Sequence, residues 1–234
     1  MSPRLRAIHQ FVPSFASRDA IGGHVVQVQR ALRELGLDSE IYVVDARDDV
    51  SHMASHYRRC QRDDSGETAI LYHLSVGSEM VKHLLARPEP LIVDFHNITP
   101  GRFLDSWHYE AAYAVTIGWQ QVPMLAERTT LALADSAFNA GDLEAAGYRD
   151  VRVVPILLDT ETFERGTDKT LSAELSSAAG SRWLFVGRVV PNKAQHDLIK
   201  SFAVYRRIFD SNAHLDIVGV TSSSRYSDVL ESMI

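Results

Sequence analysis

One stretch, residues 182–203 (RWLFVGRVVPNKAQHDLIKSFA), constrains the fold of this chain more than any other. It opens with the apolar run 183–186, which is too short for a helix, ends at a glycine and is typical of a buried parallel strand. A turn then leads into the amphipathic stretch 193–209, where Asn192 and Gln195 have the spacing of a capping box. We therefore expect a strand, a loop and a helix in this order.

Two cations, Arg188 and Lys193, lie in the loop of this unit. The loop leaves the carboxyl end of a parallel strand and reaches a helix N-terminus, whose unpaired amides carry partial positive charge. That combination is typical of a phosphate site. Basic side chains in a surface loop are more often solvated charges, however, and spacing alone favours that interpretation.

The rest of the chain repeats the same alternation of short apolar runs and polar or amphipathic segments. Six further runs are found at 5–11, 41–44, 69–74, 91–95, 131–134 and 151–154. Strands that alternate with helices predict a parallel sheet with right-handed crossovers, and so a Rossmann-like α/β domain over 1–160. We expect a hinge or linker over 161–180 and an incomplete second Rossmann-like domain over 181–234. This second part offers two strands, whereas a complete half of such a fold has about six.

The segment 11–23 is expected to be a loop that ends in Gly22 and Gly23, before an amphipathic helix over 24–35. The glycines do not have the GxGxxG spacing of a dinucleotide fingerprint. An NAD-dependent dehydrogenase is therefore disfavoured, although Asp45 ends the second run at a suitable place.

Polar residues and glycines follow several predicted strands at their carboxyl ends, where open α/β sheets bind ligands. They are Tyr72, His73, Ser75, His96, Asn97, Ser136 and Gly219, and His24 begins the first predicted helix. Each also has a structural interpretation: a histidine at such a place is often simply buried and hydrogen-bonded, and Ser136 is expected to cap the helix over 138–146.

Several motifs resemble a known family. Phe185-Val186-Gly187-Arg188, followed by Pro191 and Lys193, resembles the start of the second domain of retaining nucleotide-sugar glycosyltransferases of the GT-B architecture (group 1 superfamily, family 4-like). DFHN at 94–97 resembles the end of a central strand in their first domain, and 134–163 resembles the last βαβ unit of that domain with the hinge. The family usually has glycine directly after the lysine, where this chain has Ala194.

The resemblance implies a fold, an activity and roles for particular residues. Two Rossmann-like domains would hold the acceptor mainly on the first and the donor diphosphate mainly on the second. Arg188 and Lys193 would grip the diphosphate, His96 would face the donor sugar, and Gly22 and Gly23 would let substrate approach the backbone. Further candidates for donor or acceptor binding are His24, Tyr72, Ser75, Asn97, Ser136 and Gly219. No metal or other cofactor is expected.

The resemblance covers the first domain and about the opening third of the second, so alternatives stay open. One is a truncated chain that is inactive or only binds a partner, and another is a sugar-nucleotide 2-epimerase of the same architecture. The sequence indicates neither the donor nucleotide, nor the sugar, nor the acceptor, nor the oligomeric state.

Composition excludes some other classes of protein. A formal net charge of −6 argues against a general nucleic-acid surface. Cys60 is the only cysteine in the sequence, which precludes an internal disulfide and fits a reducing compartment. The N-terminal apolar run is too short for a signal peptide, and no stretch has the ~20 apolar residues of a membrane span. We expect a cytoplasmic protein, for which peripheral contact with a membrane stays open.

Overall fold

A computed structural model of the chain describes residues 4–16, 19–160, 166–177, 179–221 and 224–234. The chain forms two compact units. The first comprises Met1–Ile98 with Ala114–Thr160, and the second comprises Thr99–Tyr113 with Glu161–Ile234. The linker predicted over 161–180 lies partly outside the described residues, and its described part contains a helix, Lys169–Ser177.

The first unit is built on a parallel sheet to which seven described strands contribute. They are β1 (Ala7–Phe15), β2 (Ile41–Ala46), β3 (Ala54–His56), β4 (Thr68–Leu74), β5 (Leu91–Phe95), β6 (Thr129–Ala134) and β7 (Val151–Val153). Their order across the sheet is β3-β2-β1-β4-β5-β6-β7, and every pairing is parallel. The predicted Rossmann-like α/β fold class is confirmed.

The strand order reverses between β1 and β4. From β1 the chain adds β2 and β3 on one side, and from β4 it adds β5, β6 and β7 on the other. In open α/β sheets, ligands bind outside the carboxyl ends of the strands at such a switch point. The topology therefore predicts a ligand site at the carboxyl ends of β1, β4 and β5.

The helices that follow β1, β4 and β6 are α1 (Ala20–Glu34), α2 (Met80–Leu85) and α4 (Ala137–Ala145), and α3 is the longer helix Tyr109–Ala126. A hydrophobic cluster packs α1 against β1 and β2; its buried members are Val12, Phe15, Val25, Ile41, Val43 and Val50. Among the helices that the structure describes, none combines the length and apolar composition that crossing a membrane requires.

The first unit differs from the sequence analysis in one expectation and in one strand that was not predicted. Strand β1 continues to Phe15 and α1 begins at Ala20, so Gly22 and Gly23 lie in the first turns of a helix and not in a loop. The edge strand β3 was not predicted, because its three residues lie in a polar segment without an apolar run. Burial of α1 on the sheet evidently outweighs the low helix propensity of two adjacent glycines.

The second unit contains a two-stranded parallel sheet of β8 (Arg182–Val186) and β9 (His214–Val218). Its described helices are α5 (Lys169–Ser177), α6 (Gln195–Ile208) and α7 (Ser224–Glu231). Ile199, Tyr226 and Leu230 form a small core, against which Trp107 packs from the segment 99–113. The order of strand, loop and helix predicted over 182–209 is confirmed. The prediction that the strand is buried is wrong, because Leu184 and Val186 of β8 are exposed.

Candidate functional site

Four buried side chains meet near the carboxyl ends of the central strands of the first unit. They are His24, His73, Asp94 and His96, here called the histidine cluster, and one nitrogen or oxygen atom of each lies within 4.8 Å of the others. Polar side chains this deep in a protein need hydrogen-bond partners. The contacts of the cluster therefore define what it can do.

The sheet register brings the members of the histidine cluster together. His73 on β4 is the direct neighbour of Asp94 on β5, so the two side chains share one face of the sheet. His96 follows β5 two residues after Asp94 and lies on the same face. Helix α1 covers that face and contributes His24.

One hydrogen-bond chain runs through His24. The backbone N–H of Leu157 donates to Nδ1 of His24 at 2.9 Å. Because Nδ1 is the acceptor, the ring proton is on Nε2, which donates to Oδ2 of Asp94 at 3.0 Å. The side chains of both residues are almost completely buried.

A second chain links four side chains from β1 to the end of β6. Nε2 of Gln10 donates to the carbonyl of Val25 at 3.0 Å, so Oε1 of Gln10 faces Nε2 of His73, 2.9 Å away. Nδ1 of His73 is 2.9 Å from Nε2 of His96. Nδ1 of His96 then contacts the carboxylate of Asp135 at 3.0 Å.

Burial and charge act differently on the three titratable groups at the centre. Burial lowers the pKa of His73 to about 3. Burial would also lower the pKa of His96, but the hydrogen bond to Asp135 and the charge of Asp94 outweigh it and raise that pKa above its ordinary value. Burial would raise the pKa of Asp94. The hydrogen bond from His24 and the electrostatic interaction with His96 outweigh burial and lower that pKa. The two adjacent histidines thus differ strongly in their tendency to hold a proton.

The proton positions also bear on metal binding. The spacing of the four donor atoms is compatible with a small ion. The Leu157 amide, however, leaves Nε2 of His24 as a proton donor to Asp94, and that atom cannot at the same time bind a metal. The side chains form a hydrogen-bonded network, and the prediction that no metal is required stays a prediction.

The other candidates of the first unit lie around this network. Tyr72 is fully buried and, as the neighbour of His73 along β4, points to the opposite face of the sheet. Ser75 is half-buried in the loop after β4. Asn97 is exposed and has the left-handed backbone angle φ of 61° directly after His96. Ser136 accepts a hydrogen bond from the amide of Asn139 and caps α4, as predicted.

The two glycines of α1 have different surroundings. A Cβ atom on Gly22 would overlap the carbonyl of Ala16, so this glycine permits a close approach of two backbone segments. Gly23 is exposed and has open space around it. The surroundings of Gly22 thus explain its presence by packing, and a role of either glycine in substrate binding stays a prediction.

In the second unit, Arg188 and Lys193 are both exposed in the loop between β8 and α6. Neither side chain makes a hydrogen bond or an ion pair with a residue that the structure describes. The backbone between them is held by Gln195, whose Nε2 donates to the carbonyl of Arg188 at 2.8 Å. The loop therefore presents, on an anchored backbone, two positive charges that no side chain in the described part of the molecule compensates.

The helix N-terminus beside these cations differs from the expectation. The predicted capping box is wrong, because Gln195 bonds Arg188, and Asn192 donates to Thr99 at 3.4 Å. The amide of His196 donates to the hydroxyl of Tyr226, and the amides of Asp197 and Leu198 donate to the carbonyl of Ala194. These amides are therefore not free to bind an anion, and the prediction of a phosphate site at this loop depends mainly on the two side chains.

Gly219 follows β9 and lies against the start of the same loop. A Cβ atom on Gly219 would overlap the carbonyl of Gly187, whose amide in turn donates to Val218 at 3.0 Å. Only glycine allows this contact between the ends of β8 and β9. Gly219 thus shapes the loop that carries Arg188, and direct binding by Gly219 stays a prediction.

Most of the two hydrogen-bond chains is not predicted from the sequence. His73 is predicted only as one of several strand-end residues, and no role is predicted for Gln10 in the second chain or for Asp94 in the first. The usable signal was a polar residue inside an otherwise apolar run, as in ILYHL and LIVDF. Such polar residues are rarely buried unless they have hydrogen-bond partners in the interior.

Comparison with solved structures finds the same fold in Anabaena Alr3699/HepE. Its crystal structure in complex with UDP-glucose has a TM-score of 0.63 and 14% identity, and its structure with UDP and glucose has a TM-score of 0.59 and 14% identity. Both matches cover 97% of this chain, which spans 65% and 64% of the two solved chains. No protein-family model and no curated protein matches the sequence. At this identity the likeness establishes the fold.

Proposed function

We propose that this chain belongs to a glycosyltransferase that moves a sugar from a nucleotide-diphosphate sugar to an acceptor, with retention of anomeric configuration. The observation that carries the proposal is the shared fold, over 97% of the chain, with a protein that was solved with UDP-glucose. The family resemblance of the segments around Arg188 and His96 supports the same activity. Retention and independence from metals rest on that resemblance alone, and the acceptor is not specified by it.

In the proposed reaction the diphosphate is the leaving group, and its negative charge grows as the glycosidic bond breaks. Arg188 and Lys193 would bind the diphosphate and stabilise that charge, which is usually a large part of catalysis. Their lack of partners among the described residues supports this role, because no internal ion pair has to be broken before a phosphate binds. Charge-assisted hydrogen bonds to phosphate are also among the stronger ones.

The proposed role of His96 has to be reconciled with its contacts. The resemblance implies that it faces the donor sugar, yet its side chain is fully buried and both ring nitrogens are engaged. His96 can contact a sugar only if it exchanges Asp135 or His73 for the ligand. Without that exchange it is a positioning residue for the strand end that carries Asn97.

Binding of UDP and GDP to the 234-residue chain, measured by calorimetry, tests the proposal. Each charged hydrogen bond to phosphate contributes roughly 1.5–3 kcal/mol, so Arg188→Ala or Lys193→Ala should weaken binding about ten- to a hundredfold. Because both contact one ligand, the double variant should lose less than the sum of the two. Lys200→Ala is the matched control, since Lys200 is an exposed cation on α6 that pairs with Asp197 at 3.3 Å.

Two results would count against the proposal. If the Arg188 and Lys193 variants bind nucleotide as the Lys200 variant does, these residues are ordinary solvated cations. If the parent chain binds neither UDP nor GDP, the diphosphate site itself is rejected. Retention is tested by a separate experiment. Transfer assays with UDP- and GDP-sugars would be run, and the anomeric configuration of the product would be read by NMR.

A further inference from the structure

We propose that His73 and His96 share one excess proton, held on His96, so that the first unit contains a buried imidazolium at the carboxyl ends of its central strands. The inference rests on hydrogen-bond partners and ring geometry. It goes beyond the proposed function and does not depend on it.

Counting protons on the outer nitrogens leads to this assignment. Gln10 presents its carbonyl oxygen to Nε2 of His73, so that nitrogen carries a hydrogen. Asp135 presents a carboxylate to Nδ1 of His96, so that nitrogen also carries one. If both rings were neutral, the two inner nitrogens would be bare. Two lone pairs would then face each other across 2.9 Å.

The ring geometry indicates that a hydrogen lies between the two inner nitrogens. The rings of His73 and His96 are nearly parallel, at 9°, and their centroids are 5.2 Å apart. The difference between this separation and the 2.9 Å nitrogen distance is about twice the distance from an imidazole centroid to its nitrogen. The rings therefore lie end to end, and each inner nitrogen points straight at the other. That is the geometry of an N–H···N hydrogen bond, whereas a shared metal ion would lie off this line, towards Asp94.

The charges around the pair favour a cation. The groups that act on His96 are Asp94 on β5, Asp135 after β6, Asp19 before α1, and His24 and His73. Oδ2 of Asp94 lies 3.6 Å from the inner nitrogen of each ring, and Asp135 lies 3.0 Å from His96. Two carboxylates thus compensate one buried positive charge. Burial of a charge is tolerated in proteins when it is paired and hydrogen-bonded in this way.

The shared proton ties together parts of the chain that are distant in sequence. It links β4 to the end of β5, and His96 then fixes Asp135, the residue before the Ser136 cap of α4. The proton therefore helps to hold the strand ends that surround the switch point. Its removal would set two lone pairs against each other and push these strand ends apart.

The test is a long-range proton–nitrogen correlation spectrum of the histidine rings in the full chain between pH 6 and pH 9. At pH 7 we expect hydrogens on both nitrogens of His96, on Nε2 of His73 and on Nε2 of His24. A neutral His96 at pH 7 overturns the proposal, and so does an imidazolium located on His73. Stoichiometric metal in the purified protein, with ring signals that move on addition of a chelator, overturns it in favour of a metal site.

A pair of variants tests whether the charge of Asp135 keeps the proton on His96. Asp135→Asn keeps the acceptor for Nδ1 of His96 and removes its charge, so the midpoint for loss of the His96 proton should fall by about one to three pH units. Glu144→Gln is the matched control, because Glu144 is an exposed acid on the adjacent helix α4 and should leave the midpoint unchanged. Equal midpoints in the two variants would contradict the proposal. If Asp135→Asn does not fold, the spectrum of the parent still decides.

Discussion

The backbone of Gly77, in the loop after β4, lies directly against the backbone of Gly118 in helix α3. A Cβ atom on Gly118 would be 2.7 Å from the amide nitrogen of Gly77, and a Cβ atom on Gly77 would be 2.5 Å from the carbonyl oxygen of Ala114. Gln121 secures the same contact by exchanging two hydrogen bonds of 2.9 Å with the backbone of Ser78. The loop that carries the candidate Ser75 is thus clamped onto a helix.

This contact predicts that Gly77→Ala destabilises the first unit. The added methyl group meets backbone atoms that cannot rotate away, and overpacking of this kind costs about 1–3 kcal/mol. Gly141→Ala in α4 is the control: its new methyl group has open space, and alanine favours a helix by up to ~1 kcal/mol. Measured by urea unfolding, the free energy of unfolding should therefore be lower for Gly77→Ala than for the parent, and equal or higher for Gly141→Ala. Similar values for the two variants would refute the close contact.

A second prediction concerns pH. Unfolded histidines bind a proton below about pH 6.5, whereas folded His73, with its pKa near 3, stays neutral. The unfolded chain then binds more protons, so stability falls by up to ~1.4 kcal/mol per pH unit as pH drops from about 6.5 towards 3. His96 behaves in the opposite way: its raised pKa contributes stability below about pH 6.5, which is lost as pH rises through the folded value.

The two histidines together therefore predict a stability maximum near pH 6.5. The measurement is the free energy of unfolding from pH 4 to pH 9 for the parent, His73→Asn and a His52→Gln control at an exposed position. The parent and the control should share the maximum. His73→Asn should lose the acid-side slope that His73 contributes, while the lowered pKa values of His9 and Asp94 still act in both proteins. A parent curve that stays flat between pH 4 and pH 7 would exclude a neutral buried His73.

Most of the sheet could be predicted from sequence because its strands are apolar runs bounded by turn residues. Strand β5, predicted as 91–95, begins and ends at those residues in the structure. Strand β3 could not be predicted, since pairing with β2 and not its own composition makes it a strand. The start of α1 was missed for a related reason, because glycines inside a helix are read as a loop until the packing against the sheet is known.

The candidate site was predictable in its position but not in its connections. His96 was expected at the end of a central strand, and it is there. That its ring meets His73 depends on the register between β4 and β5, and that Gln10 orients His73 depends on a contact across 63 residues. No local pattern encodes these distances. Arg188 and Lys193 were easier to place, because their position depends on the local loop alone, and their role stays a prediction.

The last prediction concerns Ala194, which lies between Lys193 and the start of α6. It has φ of 55° and ψ of 35°, the left-handed conformation, which costs a residue with a side chain roughly 1–2 kcal/mol. Glycine, which the resembling family usually has at this place, adopts that conformation without this cost. Ala194→Gly should therefore stabilise the second unit by about 0.5–1 kcal/mol after the greater chain entropy of glycine is subtracted.

Ala203→Gly, in the exposed middle of α6, is the matched control for Ala194→Gly and should destabilise by about 1 kcal/mol because its backbone is helical. Chemical denaturation of both variants measures the two changes in the free energy of unfolding, which should have opposite signs. Calorimetry with UDP adds a second readout, since removal of the methyl group beside Lys193 should strengthen nucleotide binding if the diphosphate approaches this backbone. Loss of stability in both variants would show that Ala194 does not adopt the left-handed conformation. A gain in stability with unchanged affinity would confirm that conformation and place the diphosphate away from Ala194.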